Sequence, residues 1–162
     1  ILRRMNEAGI LGRAIPEFGG IVAQTQFNMY HHYTVDEHTI RAVEAIAEME
    51  HGRDEHPIKL VTELFGLIEN RRALYLAMLL HDTGKGKGDQ QIAGMKTARK
   101  ACERLGLSEV ETELVAWLVG HHLEMSVTVQ KRDISVPRMV TKFTEMVGSL
   151  ALAYTPRTLT TT

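Results

Sequence analysis

One stretch limits the fold more than any other: ALYLAMLL at Ala73–Leu80. Its unbroken apolar run leaves no polar face, so a helix made from it must be covered by protein on every side. Asn70 stands just ahead, where a side chain can cap a helix start. Gly84, Gly86 and Gly88 follow and end the helix. The chain must therefore supply other elements to surround this one.

Those elements read as helices. Ile1–Ala8 forms a short helix stopped by Gly9, and GILGRAIPEFGGI packs as irregular structure with short helical turns. Thr34-x-x-Glu37 is a capping-box pattern, and the apolar stripe Ile40, Val43, Ile46 and Ala47 carries that helix to about Met49. HGRDEHPIKL is a polar loop. After the central helix, Ile92, Met95, Ala98, Cys102 and Leu105 mark another, ending near Gly106. Ser108-x-x-Glu111 is a second capping box. It opens a helix with Val110, Leu114, Trp117 and Leu118 on its apolar side, reaching His121-His122. Asp133 follows in a polar loop, and Pro137 starts a last amphipathic helix with Val140, Phe143, Val147 and Leu150. No alternating strand pattern is evident. The expected fold is all-α, a compact multi-helix bundle. We expect one domain over 1–162, with a lead-in at 1–24, a core at 25–150 and an irregular tail at 151–162.

Length and charge narrow the function classes. The chain has 162 residues, enough for one domain with a real core. A net charge of −1 gives no support for a nucleic-acid surface. No apolar run approaches the ~20 residues of a membrane span. The single cysteine, Cys102, excludes an internal disulfide and fits a reducing, cytoplasmic setting. The N-terminus, ILRRMNEAG, is unlike a secretory signal and lacks an initiator Met, so we expect an excised piece of a longer multidomain chain.

Chemistry is concentrated where the central helix ends, at His81-Asp82 in LLHDTGKGKGDQ. Neighbours in a helix point ~100° apart, so adjacent ligands share an ion most easily at a helix end. Imidazole with carboxylate suits Mn, Fe, Zn, Co or Ni, and Mg less well. Alone, the pair reads better as a helix-capping histidine and a turn aspartate. Other histidines change the balance: His38 lies early in one helix, His121 and His122 late in another, and a bundle can gather such residues at one centre. His31, His51 and His56 read as polar residues at helix ends or on solvated faces. Lys85, in the glycine loop, could neutralise a phosphate, although GKGKG lacks P-loop spacing.

These residues resemble the HD superfamily of metal-dependent phosphohydrolases. More narrowly, the chain is similar to the HD domain of bacterial bifunctional uridylyltransferase/uridylyl-removing enzymes of nitrogen control. The resemblance rests on IPEFGGIVAQTQFNMYHHYTVDEHTIRAV at Ile15–Val43, LLHDTGKGKGDQ at Leu79–Gln90 and ETELVAWLVGHHLEMSVTVQKRDI at Glu111–Ile134. YHHYTVDEHT is far more specific than the HD pair.

The resemblance implies an all-α bundle with His38, His81, Asp82 and His122 as metal ligands. It implies His81, Asp82, Lys85 and His122 as catalytic residues; Asp36, close to His38 in the sequence, is expected to orient that histidine. It implies a divalent metal, Mn or Mg, and hydrolysis of the phosphodiester that links UMP to a tyrosine of the PII signal protein. Glutamine would act through other domains of the full-length chain. Two departures stand out. Gln90 falls where the family has a histidine after the glycine loop, which predicts one metal position rather than two. The family's distal Asp would lie beyond LTTT, and Asp133 reads as structural or supporting. The alternative function is a non-catalytic regulatory or protein-docking module that keeps the shell of the domain with a degraded metal site.

Overall fold

The structure, a computed structural model, describes residues 1–25, 33–53, 63–124, 141 and 144–146. His31, His56, Asp133, most of the helix expected from Pro137, and the tail lie outside them. The chain divides into two units, Ile1–Gly120 and His121–Thr162. In the second unit, Thr141 and residues 144–146 are helical.

Among the described residues the structure is helical, without strands. Three short helices open the chain: α1 (Leu2–Glu7), α2 (Ile10–Ala14) and α3 (Pro16–Gly19). Pro16 sits at the start of α3, where its missing N–H costs nothing. Four longer helices follow: α4 (Val35–Glu50), α5 (Arg71–Leu80), α6 (Gln90–Arg104) and α7 (Glu109–His121).

Helix α5 is the centre, as its sequence requires. Asn70 caps it, its Oδ1 accepting the Ala73 N–H at 2.9 Å. From Ala73 to Leu80 no residue is exposed. Two faces of the helix serve two clusters. Ala73, Ala77 and Leu80 pack with Ala98, Ala101 and Cys102 of α6 and with Val115, Ala116 and Val119 of α7. Leu79 packs with Val35, Ile40 and Val43 of α4 and with Leu11, Phe18 and Ile21 from the opening stretch. Phe18 is wholly buried, a burial worth roughly 1.5–3 kcal/mol. The N-terminal residues thus supply core.

Two expected faces are corrected in part. On α7 the fully buried residues are Thr112, Val115, Ala116, Val119 and Gly120; Leu114 and Leu118 are half-buried and pack against the core as expected, Trp117 is half-buried, and Val110 is exposed. On α6, Ile92 and Leu105 are exposed, while Ala98 and Cys102 are buried as expected. Small residues permit the close approach of α6 and α7: a Cβ on Gly120 would lie 2.6 Å from the Met95 side chain and one on Gly94 3.0 Å from that of Val119.

The two capping boxes also differ. Ser108 and Glu111 cap reciprocally: the Glu111 N–H donates to Ser108 Oγ at 3.3 Å and the Ser108 N–H to Glu111 Oε2 at 3.2 Å. Thr34 is the first residue of its pair and stands at the N-cap of α4, but its side chain makes no capping bond. Glu37 is instead held by Arg3 (Nη1 to Oε1, 2.6 Å) and by Arg41 (Nε to Oε1, 2.6 Å). That arrangement ties α1 to the first turn of α4.

Candidate metal centre

The centre is built where α5 ends. Leu80 is the last helical residue, and His81 keeps a right-handed helical backbone, so the chain tightens into a turn. The Thr83 N–H and hydroxyl both donate to the Leu80 carbonyl, at 3.1 and 2.7 Å. The Lys85 N–H donates to the Asp82 carbonyl at 3.0 Å and so closes the next turn. Gly84 is required here by close approach: a Cβ on it would collide with the Gln90 carbonyl and lie 2.6 Å from the Gly94 nitrogen. The start of α6 is thereby pressed against the HD turn.

His81 and Asp82 are buried. His38 comes from the first turns of α4, which packs against α5. His38 Nε2 lies 3.9 Å from Asp82 Oδ2, and His81 Nε2 lies 3.3 Å from the same oxygen. The two imidazoles meet edge to face, with centroids 5.4 Å apart. One ligand atom from each of His38, His81 and Asp82 lies within 4.8 Å of the others. Two donors bound to one ion at ~2.0–2.2 Å sit roughly 3–3.6 Å apart, so the His81–Asp82 spacing suits one ion and His38 would have to draw in by a few tenths of an ångström or more to join it.

The histidine tautomer agrees with that fit. His81 Nδ1 is 2.7 Å from the Met78 carbonyl, which can only accept, so Nδ1 carries the proton. When His81 is neutral, its Nε2 lone pair therefore faces the Asp82 carboxylate. Two lone pairs at that distance repel unless a cation lies between them. A backbone partner on the far nitrogen is the usual way a ligating histidine is oriented. The donor set suits a divalent metal.

Asp82 gathers further partners. Lys85 Nζ donates to Oδ2 at 2.6 Å and Gln90 Nε2 donates to Oδ1 at 3.2 Å. Burial alone would push this carboxyl up, but with no cation between them the hydrogen bond and charge of a protonated His81, then those of Lys85, outweigh it and hold it well below the usual carboxylate range.

Of the residues expected at the site, the structure brings together His38, His81, Asp82 and Lys85. His121 ends α7 and His122 follows it, half-buried, at the start of the second unit. Asp36 does not take the place expected beside His38. Its carboxylate accepts from Asn6 Nδ2 at 2.7 Å and from the Ala23 N–H at 3.2 Å, because residues two apart on a helix point to opposite sides. His51 is the C-cap of α4, with Nδ1 2.6 Å from the Ala47 carbonyl, in keeping with a histidine at a helix end. Gln90 is the partner that sequence reasoning missed. Asp89 before it is a sound N-cap, its Oδ1 accepting the N–H groups of Gln91 and Ile92 at 3.0 and 3.1 Å. That signal places Gln90 on the first turn of α6, facing back toward the HD turn.

The HD domain family matches residues 35–146. This chain belongs to the HD domain family. The HD domain is also 61% identical over 151 residues to the bifunctional uridylyltransferase/uridylyl-removing enzyme of Phenylobacterium zucineum, a match covering 91% of this chain and 16% of that protein. The proteins of the same description from Caulobacter vibrioides strain NA1000 / CB15N and Novosphingobium aromaticivorans are 59% and 53% identical over 149 and 150 residues. The matches cover 90% and 92% of this HD domain and 16% of each relative. The chain thus spans about a sixth of the length of these curated relatives. No solved structure matches it. Among the described residues, no helix of the HD domain is long and apolar enough to cross a membrane.

Proposed function

We propose that this HD domain is a divalent-metal-dependent phosphodiester hydrolase that removes UMP from a uridylylated tyrosine of the PII signal protein. The observation that carries the reading is the convergence of His38, His81 and Asp82 on one point. The relatives' description as uridylyl-removing enzymes supplies the class of substrate.

His38, His81 and Asp82 would hold the metal, Mn or Mg. The chemistry such an ion would supply there is polarisation of a phosphoryl oxygen and a lowered pKa for a bound water. The chain's own residues do the rest. His81 is locked by the Met78 carbonyl and presents Nε2 without rotational freedom. Gln90 holds one oxygen of Asp82 and leaves the other facing the histidines. Lys85, attached to a short glycine loop, supplies positive charge as negative charge grows on the phosphate. The resemblance adds His122 as a fourth ligand or a phosphate contact. Tyrosine phenolate leaves readily, so the site has little need of a strong general acid. Glutamine acts through parts of the longer protein that this chain does not span.

The test is UMP release from uridylylated PII by this chain, with Mn and with EDTA, for the native sequence and for Asp82→Asn. The expected result is Mn-dependent release that Asp82→Asn abolishes, together with a Mn-induced rise in melting temperature that the variant lacks. Release that survives Asp82→Asn overturns the mechanism. Absence of both a Mn-induced melting shift and release would instead favour the regulatory or protein-docking module with a degraded metal site.

A further inference from the structure

Beyond the metal centre, the glycine loop and α6 border a second cleft. It has a volume of about 270 Å³ and is lined by Pro16, Glu17, Lys87, Lys96, Thr97 and Lys100. Three lysines converge on it. Lys96 and Lys100 are four residues apart and share one side of α6, where like charges repel. Lys87 reaches the same cleft from the loop.

The neighbouring cations are treated differently. Arg99 is held by Glu113 through two bonds, of 2.6 and 2.8 Å. Arg104 pairs with Glu17 and also donates to the Ala14 carbonyl at 2.9 Å. Among the described residues, Lys87, Lys96 and Lys100 have no ion pair. The single carboxylate in the lining, Glu17, is buried and already neutralised by Arg104. The cleft therefore carries about three uncompensated positive charges in a chain whose net charge is −1.

We propose that this cleft is a binding site for a small polyphosphate-bearing anion, separate from the metal centre. Its volume falls just below the ~300–1,000 Å³ of drug-sized ligand pockets, which suits a compact di- or triphosphate group better than an extended chain. Compact ammonium groups on flexible stems suit phosphate as point charges. The loop that carries Lys85 to Asp82 carries Lys87 to the cleft, and α6 carries Gln90 to Asp82 and Lys96 and Lys100 to the cleft. An occupant would thus bear on two elements that also form the metal centre.

The test is isothermal titration of the metal-free chain with pyrophosphate and, separately, with ATP. We expect one anion per chain, binding that weakens with added NaCl, and affinity reduced roughly tenfold or more in the double variant Lys96→Gln, Lys100→Gln. Both lysines are exposed, so the variant should keep its melting temperature. Lys85→Gln should leave pyrophosphate binding in place. ATP tighter than pyrophosphate would point to a nucleotide, and equal affinity to the phosphate group alone. Absence of pyrophosphate binding overturns the proposal. So does undiminished binding in the double variant, or loss of binding in Lys85→Gln, which would put the anion at Asp82. Metal binding and UMP release are not read by this experiment, so the two functional readings stand or fall separately.

Discussion

Lys85 Nζ donates to Asp82 Oδ2 at 2.6 Å, the same oxygen that His81 Nε2 approaches at 3.3 Å. The lysine and the ligand set therefore meet on one atom. A cation bound by His38, His81 and Asp82 would compete with the ammonium for that oxygen and free Lys85 to face a phosphate. Lys85→Gln should accordingly leave Mn affinity unchanged or tighter while lowering the rate of hydrolysis by about 10²–10³-fold. A Mn titration followed by melting, beside a rate measurement on uridylylated PII, separates the two effects. Equal loss of both would make Lys85 a structural partner of Asp82.

Gln90 holds the other oxygen of Asp82, at 3.2 Å. It fixes which lone pairs the carboxylate offers to the histidines, in the way supporting residues orient metal ligands. Gln90→Ala should weaken Mn binding by about 10–100-fold without removing a ligand. Titration of Mn by electron paramagnetic resonance measures this. Unchanged affinity would show that His81 and Lys85 suffice to hold the carboxylate.

The parts of this molecule that were legible in its sequence are those set by near neighbours. Asn70 and Ser108 cap because their side chains reach an N–H three residues on, and ALYLAMLL is central because no face of it can meet water. Thr34 and Glu37 carry the same local signal, yet Arg3, thirty-four residues from Glu37, takes the carboxylate. No spacing rule anticipates a competitor that arrives through tertiary packing. On α7, Leu114 and Leu118 pack against the core as their spacing suggests, while the burial of Gly120 against Met95 depends on how closely α6 approaches. At the site, the His81-Asp82 pair was visible as adjacent residues, but its tie to His38 followed from family resemblance. The bond from Gln90 needed the fold.

Acid should unfold the chain partly through Glu111. Its carboxyl is held down to about 2 by hydrogen bonds from Arg72 and then from the Ser108 side chain and backbone. A carboxyl lowered on folding adds stability that is complete above its unfolded pKa, ~4.3, and is lost as pH falls through the folded value. The stability difference between the native chain and Glu111→Gln should be flat above pH ~5 and shrink as pH falls from ~4.3 toward 2. Urea unfolding at a series of pH values tests it. A difference that does not change across that window would show that the Arg72 and Ser108 bonds are solvent-screened and add nothing.

Gly84 should be the least replaceable residue of the glycine loop. Gly86 and Gly88 have φ of +74° and +81°, a conformation costly for other residues, but a Cβ at Gly88 meets nothing. At Gly84 the Cβ would press on the carbonyl of Gln90 and the backbone of Gly94, and backbone cannot swing aside as a side chain can. Relief requires α6 to move off the HD turn. That movement would also withdraw Gln90 from Asp82. Gly84→Ala should therefore cost about 3 kcal/mol or more and weaken Mn binding beyond what the lost stability explains. Gly88→Ala should cost about 1–2 kcal/mol and leave Mn affinity intact. Urea unfolding and Mn titration of both variants decide the point. Equal effects on metal affinity would mean that the loop positions the centre by its conformation rather than by the close approach at Gly84.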